Sequence, residues 1–184
     1  VDAVKFQTYI PKLFVSNDYN QNSIKRLKKF QLNFEQFENL SIYAKKKGLI
    51  FFSTPLDLKS AFFLNKIQEV FKISSGDNNY KELIETVLSF QKHTIISTGM
   101  TNISDLNNIY KVAKNLLKKR LNEKLIFLHC VSDYPVENKY INLNSINALK
   151  KNFKNLNIGY SDHSIGTRAC LASVAMGVKI IEKH

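Results

Sequence analysis

The chain has 184 residues, 44% of them hydrophobic and 23% charged, a balance that suits one folded domain with a sizeable core. No apolar run approaches the ~20 residues a membrane-spanning helix needs, and no segment reads as a secretory leader. The formal charge of +12 admits a nucleic-acid or anionic-surface partner. The lysines, however, are spread over predicted helices at 25–29, 45–47 and 118–120 without interleaved aromatics, so they read as solvated helix faces. The expectation is no nucleic acid and no membrane. Cys130 and Cys170 lie in apolar company with no CxxC. They are expected to be buried and unbridged, in a reducing, cytoplasmic compartment.

The chain opens at VDAVKFQ with no initiator Met and stops at IIEKH, so both ends are expected to be cuts through a longer fold. AVKFQ (3–7) is the first strand. Phe34, Phe37, Leu40 and Ala44 then form an apolar stripe at helical spacing, with Asn33 as N-cap and Gly48 as stop. LIFFSTP (49–55) and VFKISSG (70–76) are the next strands, followed by a helical stripe at Leu83, Ile84, Val87 and Leu88. TIISTGM (94–100) is a strand, and Leu106, Ile109, Ala113 and Leu116 mark the helix after it. LIFLHCVS (125–132) and NIGYSD (157–162) are strands, 167–176 is an Ala-rich helix ending at Gly177, and VKIIEKH (178–184) is the last strand.

This alternation implies parallel βα units, and the near-continuous apolar strands fit a sheet buried on both faces. Two architectures fit, an open doubly wound sheet and a (β/α)8 barrel. No GxGxxG or GxxxxGK[ST] follows a strand, as a nucleotide-binding open sheet usually shows. Seven strands are one short of eight, and the chain is shorter than the ~250 residues of a typical barrel. The expected fold is therefore α/β, a (β/α)8 TIM barrel lacking its first strand and last helix.

Reactive residues collect where the strands end: Lys5 and Gln7, Ser53 and Thr54, Lys72 and Ser75, Ser97 and Thr98, His129 and Ser132, Ser161 to His163, and Glu182 to His184. In a barrel these ends converge on the face that carries the active site. His163 and His184 follow neighbouring strands ~4.8 Å apart, so their imidazoles can share a divalent metal such as Mn2+, Zn2+ or Fe2+, with Asp162 or Glu182 orienting a ring. The alternative is two hydrogen-bonded core histidines. His93 has no such context and reads as a surface residue. Ser75-Gly76, Ser97-Thr98-Gly99 and Ser161, with Lys5 and Lys72, suit a phosphate and a carboxylate, or the serines cap the helices that follow. Lys5, Lys72 and Lys183 also admit Schiff-base chemistry, although Lys183 alternates with Glu182 and His184 and reads as a surface side chain.

In order along the chain, VKFQT (4–8), FFSTPLD (51–57), FKISSGD (71–77), IISTGM (95–100), LHCVSDYP (128–135), IGYSDHSIG (158–166) and IIEKH (180–184) resemble the sialic acid synthases. These are the nonulosonate synthases, which include N-acetylneuraminate and legionaminate synthases. The resemblance implies a transferase of carbohydrate biosynthesis, serving cell-surface polysaccharides. It would condense phosphoenolpyruvate with an N-acetylated mannosamine-type sugar and release phosphate. It also implies a barrel followed by an antifreeze-like domain, a domain-swapped homodimer, and a divalent metal, Mn2+ first and Mg2+ or Co2+ as alternatives. On that pattern His163 and His184 are the metal ligands, and Asp77 and Glu182 join them as catalytic residues. Lys5, Thr54 and Lys72 hold the carboxylate of phosphoenolpyruvate, and Gln7 is a further substrate contact. Ser75, Ser97, Ser132 and Ser161 surround the phosphate, while Asp77 and Tyr134 face the sugar. Some members carry Asn at the position of Ser132, and Glu is common at that of Asp77. The acceptor stays open among N-acetylmannosamine, its 6-phosphate and a diacetamido-trideoxy hexose. Without the missing segments the chain is expected to lack full activity. The rivals are a Schiff-base aldolase on the same barrel and a basic nucleic-acid-binding module.

Overall fold

The computed structural model describes residues 1–15 and 21–184, which fall into two units, Val1–Lys72 and Ile73–His184. In the first unit β1 (Ala3–Thr8) pairs in parallel with β2 (Ile50–Pro55), Val4 opposite Phe51 and Gln7 opposite Thr54. A parallel pair needs a long crossover. Here the intervening chain contains α1 (Pro11–Phe14), α2 (Gln21–Phe30) and α3 (Phe34–Lys46). The start of α3 follows from its sequence. The Asn33 side chain accepts the Gln36 N–H and the Gln36 side chain accepts the Asn33 N–H, each at 2.8 Å, a reciprocal capping box. Phe37 and Ala44 of α3 pack with Val4, Phe6 and Phe51, and Phe6 stacks on Phe51 with centroids 5.6 Å apart. Side chains alternate across a strand, so Lys5, Gln7, Phe52 and Thr54 lie on the opposite face of the β1–β2 pair. α4 (Leu58–Leu64) closes the unit, with Asp57 accepting the Ser60 N–H as its N-cap.

A second sheet runs in sequence order through β3 (Val70–Ile73), β4 (His93–Ser97), β5 (Leu125–Cys130), β6 (Asn157–Asp162) and β7 (Ile181–Lys183), parallel from β4 to β7. The helices are α5 (Lys81–Ser89), α6 (Ile103–Leu117), α7 (Leu121–Lys124), α8 (Asn144–Asn152) and α9 (Arg168–Ala175). Every residue of β5 is buried, as a strand covered on both faces requires. Phe127 meets the edge of Phe153, just past α8, at 5.0 Å. The expected α/β class with parallel strands therefore holds.

Several local expectations need correction. The buried stripe of α6 is Leu106, Ile109, Ala113 and Leu117, not Leu116. Eleven residues bring Leu117 back to within ~20° of Leu106, whereas Leu116 lands ~80° away. Residues 118–120 form a 3-10 turn rather than a helix face, because Lys118 turns the chain at φ +50°. His93 is half-buried rather than on the surface, with Nδ1 3.5 Å from Lys124 Nζ. Both cysteines are buried and free, as expected. Among the described residues no helix is long and apolar enough to cross a membrane.

Candidate active site

In the first unit the strand ends present the residues expected there. Thr54 is buried and Lys5 half-buried on the face away from α3, while Gln7 on the same face is exposed. Ser53 faces the other way. Its hydroxyl shares a 2.7 Å hydrogen bond with Thr8, and its N–H donates to Gln68 at 2.8 Å. Ser53 is thus a packing residue. Lys72 on β3 is buried.

In the second unit the register puts Ser97 beside Leu128, Leu128 beside Gly159, Cys130 beside Ser161 and Ser161 beside Glu182. These side chains share one face of the sheet. Phe127, His129 and Tyr160 alternate to the other, where Phe127 packs against Phe153 and His129 stacks on Tyr160. Gly159 allows the last strand to come close: a Cβ there would lie 2.5 Å from the Ile180 carbonyl oxygen. His163 and His184 continue the first face, past the ends of β6 and β7. Their ring centroids are 4.5 Å apart with planes at 86°. The Ser161 hydroxyl donates to Glu182 Oε1 at 3.0 Å, and the same oxygen is 3.5 Å from His184 Nε2. His163 Nε2 is 3.5 Å from Ser161 Oγ and 3.8 Å from Cys130 Sγ. Tyr134 stacks on His163 at 3.8 Å and meets His184 edge-on at 5.7 Å. Burial raises the Tyr134 pKa, with smaller contributions from Cys130 and Glu182, so its hydroxyl stays protonated at neutral pH.

A second cluster surrounds Gly99. Its N–H donates to Ser75 Oγ at 3.1 Å, and a Cβ at this position would meet that oxygen at 2.7 Å as well as the Ser132 hydroxyl. Only a glycine leaves both hydroxyls and the backbone open to a ligand here. The buried Ser97 Oγ has no hydrogen-bond partner among the described residues. Asn78 holds the loop by donating to the carbonyls of Ser97 at 3.2 Å and Gly99 at 2.9 Å. Asp77 accepts the Ser74 hydroxyl.

Asp162 alternates away from both clusters and is fully buried. Burial alone would raise its pKa. Hydrogen bonds from Cys170, Ser164 and Tyr160 outweigh that and hold it lowered to about 2. The Cys170 thiol is pushed up to about 11, by burial first and by Asp162 second. Lys183 is exposed, as its alternation implies, and its ammonium lies 3.3 Å from Asp162 Oδ2 and donates to the Ser164 carbonyl.

Among the described residues, no group of three or more His, Cys, Asp or Glu side chains closes around one point. Two imidazoles, with a carboxylate against one and a thiol against the other, remain a donor set suited to a first-row divalent cation.

A model of the NeuB family matches residues 1–184. The chain belongs to the NeuB family. An uncharacterized protein of Methanocaldococcus jannaschii is 42% identical over 184 residues, covering 100% of this chain and 52% of that protein. An N,N'-diacetyllegionaminic acid synthase of Campylobacter jejuni is 34% identical over 199 residues, covering 100% of this chain and 58% of the synthase. A crystal structure of N-acetylneuraminic acid (sialic acid) synthetase from Leptospira borgpetersenii, in complex with citrate, superposes with a TM-score of 0.89 at 33% identity. That match covers 100% of this chain and 62% of the synthetase. The chain thus spans about half the length of the curated relatives it matches.

The site residues that the sequence does not reveal are those whose role comes from register or from a turn. Cys130 reads as core in the sequence but also borders His163. Cys170 reads as a core thiol and also bonds Asp162, while Asn78 and Ser164 have no role in the sequence reading, and only Asn78, directly after SSGD, carries a local signal as a polar residue in a strand-end turn.

Proposed function

We propose that this chain is the catalytic part of a nonulosonate synthase, a transferase that joins phosphoenolpyruvate to an N-acetylated mannosamine-type sugar. The observation that carries the proposal is the meeting of His163, His184, Glu182 and Ser161 at two neighbouring strand ends, in a chain of the NeuB family. We infer that the seven strands belong to a (β/α)8 barrel, and that the whole protein adds an antifreeze-like domain and works as a cytoplasmic homodimer.

His163 and His184 would hold the divalent cation, Mn2+ first and Mg2+ or Co2+ as alternatives, and a cation bound there supplies Lewis acidity toward the sugar carbonyl. Glu182, bonded to Ser161 and next to His184, fixes the tautomer and orientation of that ring. Lys5, Thr54 and Lys72 take the carboxylate of phosphoenolpyruvate. Ser75, Ser97, Ser132 and Ser161, with the Gly99 backbone, take its phosphate. Asp77 and Tyr134 face the sugar, and Gln7 is a further substrate contact. C3 of phosphoenolpyruvate bonds to the aldehyde carbon of the open-chain sugar, water adds at C2, and phosphate departs. The protein's main contribution is to neutralise and align two reactants.

The test uses the full-length protein. Phosphate release from phosphoenolpyruvate is followed with N-acetylmannosamine, its 6-phosphate and a diacetamido-trideoxy hexose, with Mn2+ and then with EDTA. The expected result is release that depends on one of these sugars and stops in EDTA. His163→Ala should abolish it in a protein that still folds. Release with none of the sugars, or turnover in EDTA together with covalent trapping by borohydride, would replace this reading with the lysine aldolase.

A further inference from the structure

The carboxylate of Asp162 points away from the two imidazoles, yet the segments that carry them are bonded to it. Oδ1 accepts the Ser164 N–H at 2.9 Å, the Ser164 hydroxyl at 2.7 Å and the Tyr160 hydroxyl at 3.0 Å. Oδ2 accepts the Cys170 thiol of α9 at 3.0 Å and lies 3.3 Å from Lys183 Nζ on β7. The bond to Ser164 spans His163 and closes an Asx turn around it. Lys183 directly precedes His184, and its ammonium also reaches the Ser164 carbonyl. The N–H of His184 donates to the Asp162 carbonyl at 3.2 Å. The backbone on both sides of His163 and the residue before His184 are therefore tied to one aspartate.

A buried carboxylate is costly unless it is fully bonded, and an apolar residue would close the strand pair with less desolvation. What the carboxylate adds is direction, because its two oxygens fix a turn, a helix and a neighbouring strand at once. We propose that Asp162 is a positioning residue: with Lys183 and Cys170 it sets the separation and ring orientation of His163 and His184, and so the affinity and geometry of the cation they hold. This rests on the reading of the two histidines as metal ligands.

The experiment titrates the metal-free full-length protein with Co2+ alone and records the visible absorption. Asp162→Asn keeps the volume and one acceptor but presents an NH2 group to Cys170 and Lys183. Co2+ affinity should fall about 10–100-fold, the range found when partners of metal ligands are changed, and the visible bands should move. Lys183→Met should also weaken Co2+ binding, and Lys183→Arg, which keeps the cation, should restore most of it. A purely structural role would lower the melting temperature and leave the spectrum and affinity of the folded fraction alone. Wild-type Co2+ affinity and bands in folded Asp162→Asn and Lys183→Met would overturn the proposal. Should Asp162→Asn fail to fold, the comparison of Lys183→Met with Lys183→Arg decides by itself. His163→Ala is the control. If it binds Co2+ like the wild type, the metal reading itself is wrong, a failure distinct from that of Asp162.

Discussion

His129 and His163 stand at the ends of adjacent strands, and alternation gives them opposite surroundings. His129 faces the helices, stacks on Tyr160 and donates from Nε2 to the Ile141 carbonyl at 2.8 Å. Burial lowers its pKa, and the Ile141 carbonyl offsets this only in part. The folded protein therefore keeps His129 neutral, and unfolding takes up a proton once the pH drops below the unfolded value of ~6.5. Its stabilisation is present above ~6.5 and is lost as the pH falls through the lower folded value. The melting temperature should thus fall more steeply from pH 7 to pH 5 in the wild type than in His129→Asn, and equal slopes would sink this account. At Gly99 the consequence is for binding. In Gly99→Ala the new Cβ would displace the hydroxyls of Ser75 and Ser132 and would lie 3.0 Å from the Ser75 Cβ, so the Ser75 hydroxyl leaves the Gly99 N–H it accepts from and Ser75 must give way by a few tenths of an ångström. Stability should fall modestly, by about 1 kcal/mol for the lost hydrogen bond, while KM for the proposed substrate phosphoenolpyruvate rises about tenfold, the worth of one hydrogen bond to a charged group. An unchanged KM would remove Gly99 and its serines from the proposed phosphate site.

At the scale of elements, both long helices begin with the same device. Asn102 of α6 repeats the capping box of α3, its side chain accepting the Asp105 N–H at 3.0 Å while Asp105 accepts the Asn102 N–H at 3.3 Å. Asn102→Ala should cost about 1 kcal/mol in chemical denaturation, and a loss below a few tenths would mean that solvent replaces the cap. Asn33 is legible in the sequence because it stands just before a clear apolar stripe, whereas Asn102 follows an apolar strand and its loop, which hide it. The strands were legible because each is a short apolar run that ends in polar residues. α8 was not, since Ile146 and Leu149 are its only buried positions, too few to show a period. The candidate site divides in the same way. The histidines, serines and lysines could be read because they close apolar runs. The placement of Cys130 beside Ser161, of Cys170 on Asp162 and of Tyr134 over His163 depends on strand register and on a loop that returns to the sheet, which no local pattern encodes.

For the whole molecule the open physical quantity is charge. The 184 residues carry +12, and the basic runs lie on exposed helix surfaces at 25–29 and 45–47 rather than lining one groove. A field of this kind acts at a distance and without geometry. It should raise the local concentration of a small multivalent anion while leaving a neutral sugar unaffected, and salt should screen it, since the Debye length shrinks from ~10 Å at 0.1 M toward ~3 Å at 1 M. Raising KCl from about 0.05 to about 0.5 M should therefore increase KM for phosphoenolpyruvate severalfold in the full-length protein, with kcat and KM for an uncharged N-acetylated sugar nearly constant. Contacts made by bound phosphate inside the site are shielded from bulk ions and respond far less, so the size of the shift separates long-range attraction from local binding. A common rise in both KM values would mean that salt perturbs the fold. A flat KM for phosphoenolpyruvate would leave the charge to solubility alone. A steep salt-dependent affinity for DNA or RNA, with a slope set by the phosphates contacted, would instead require a basic surface that these scattered lysines do not build.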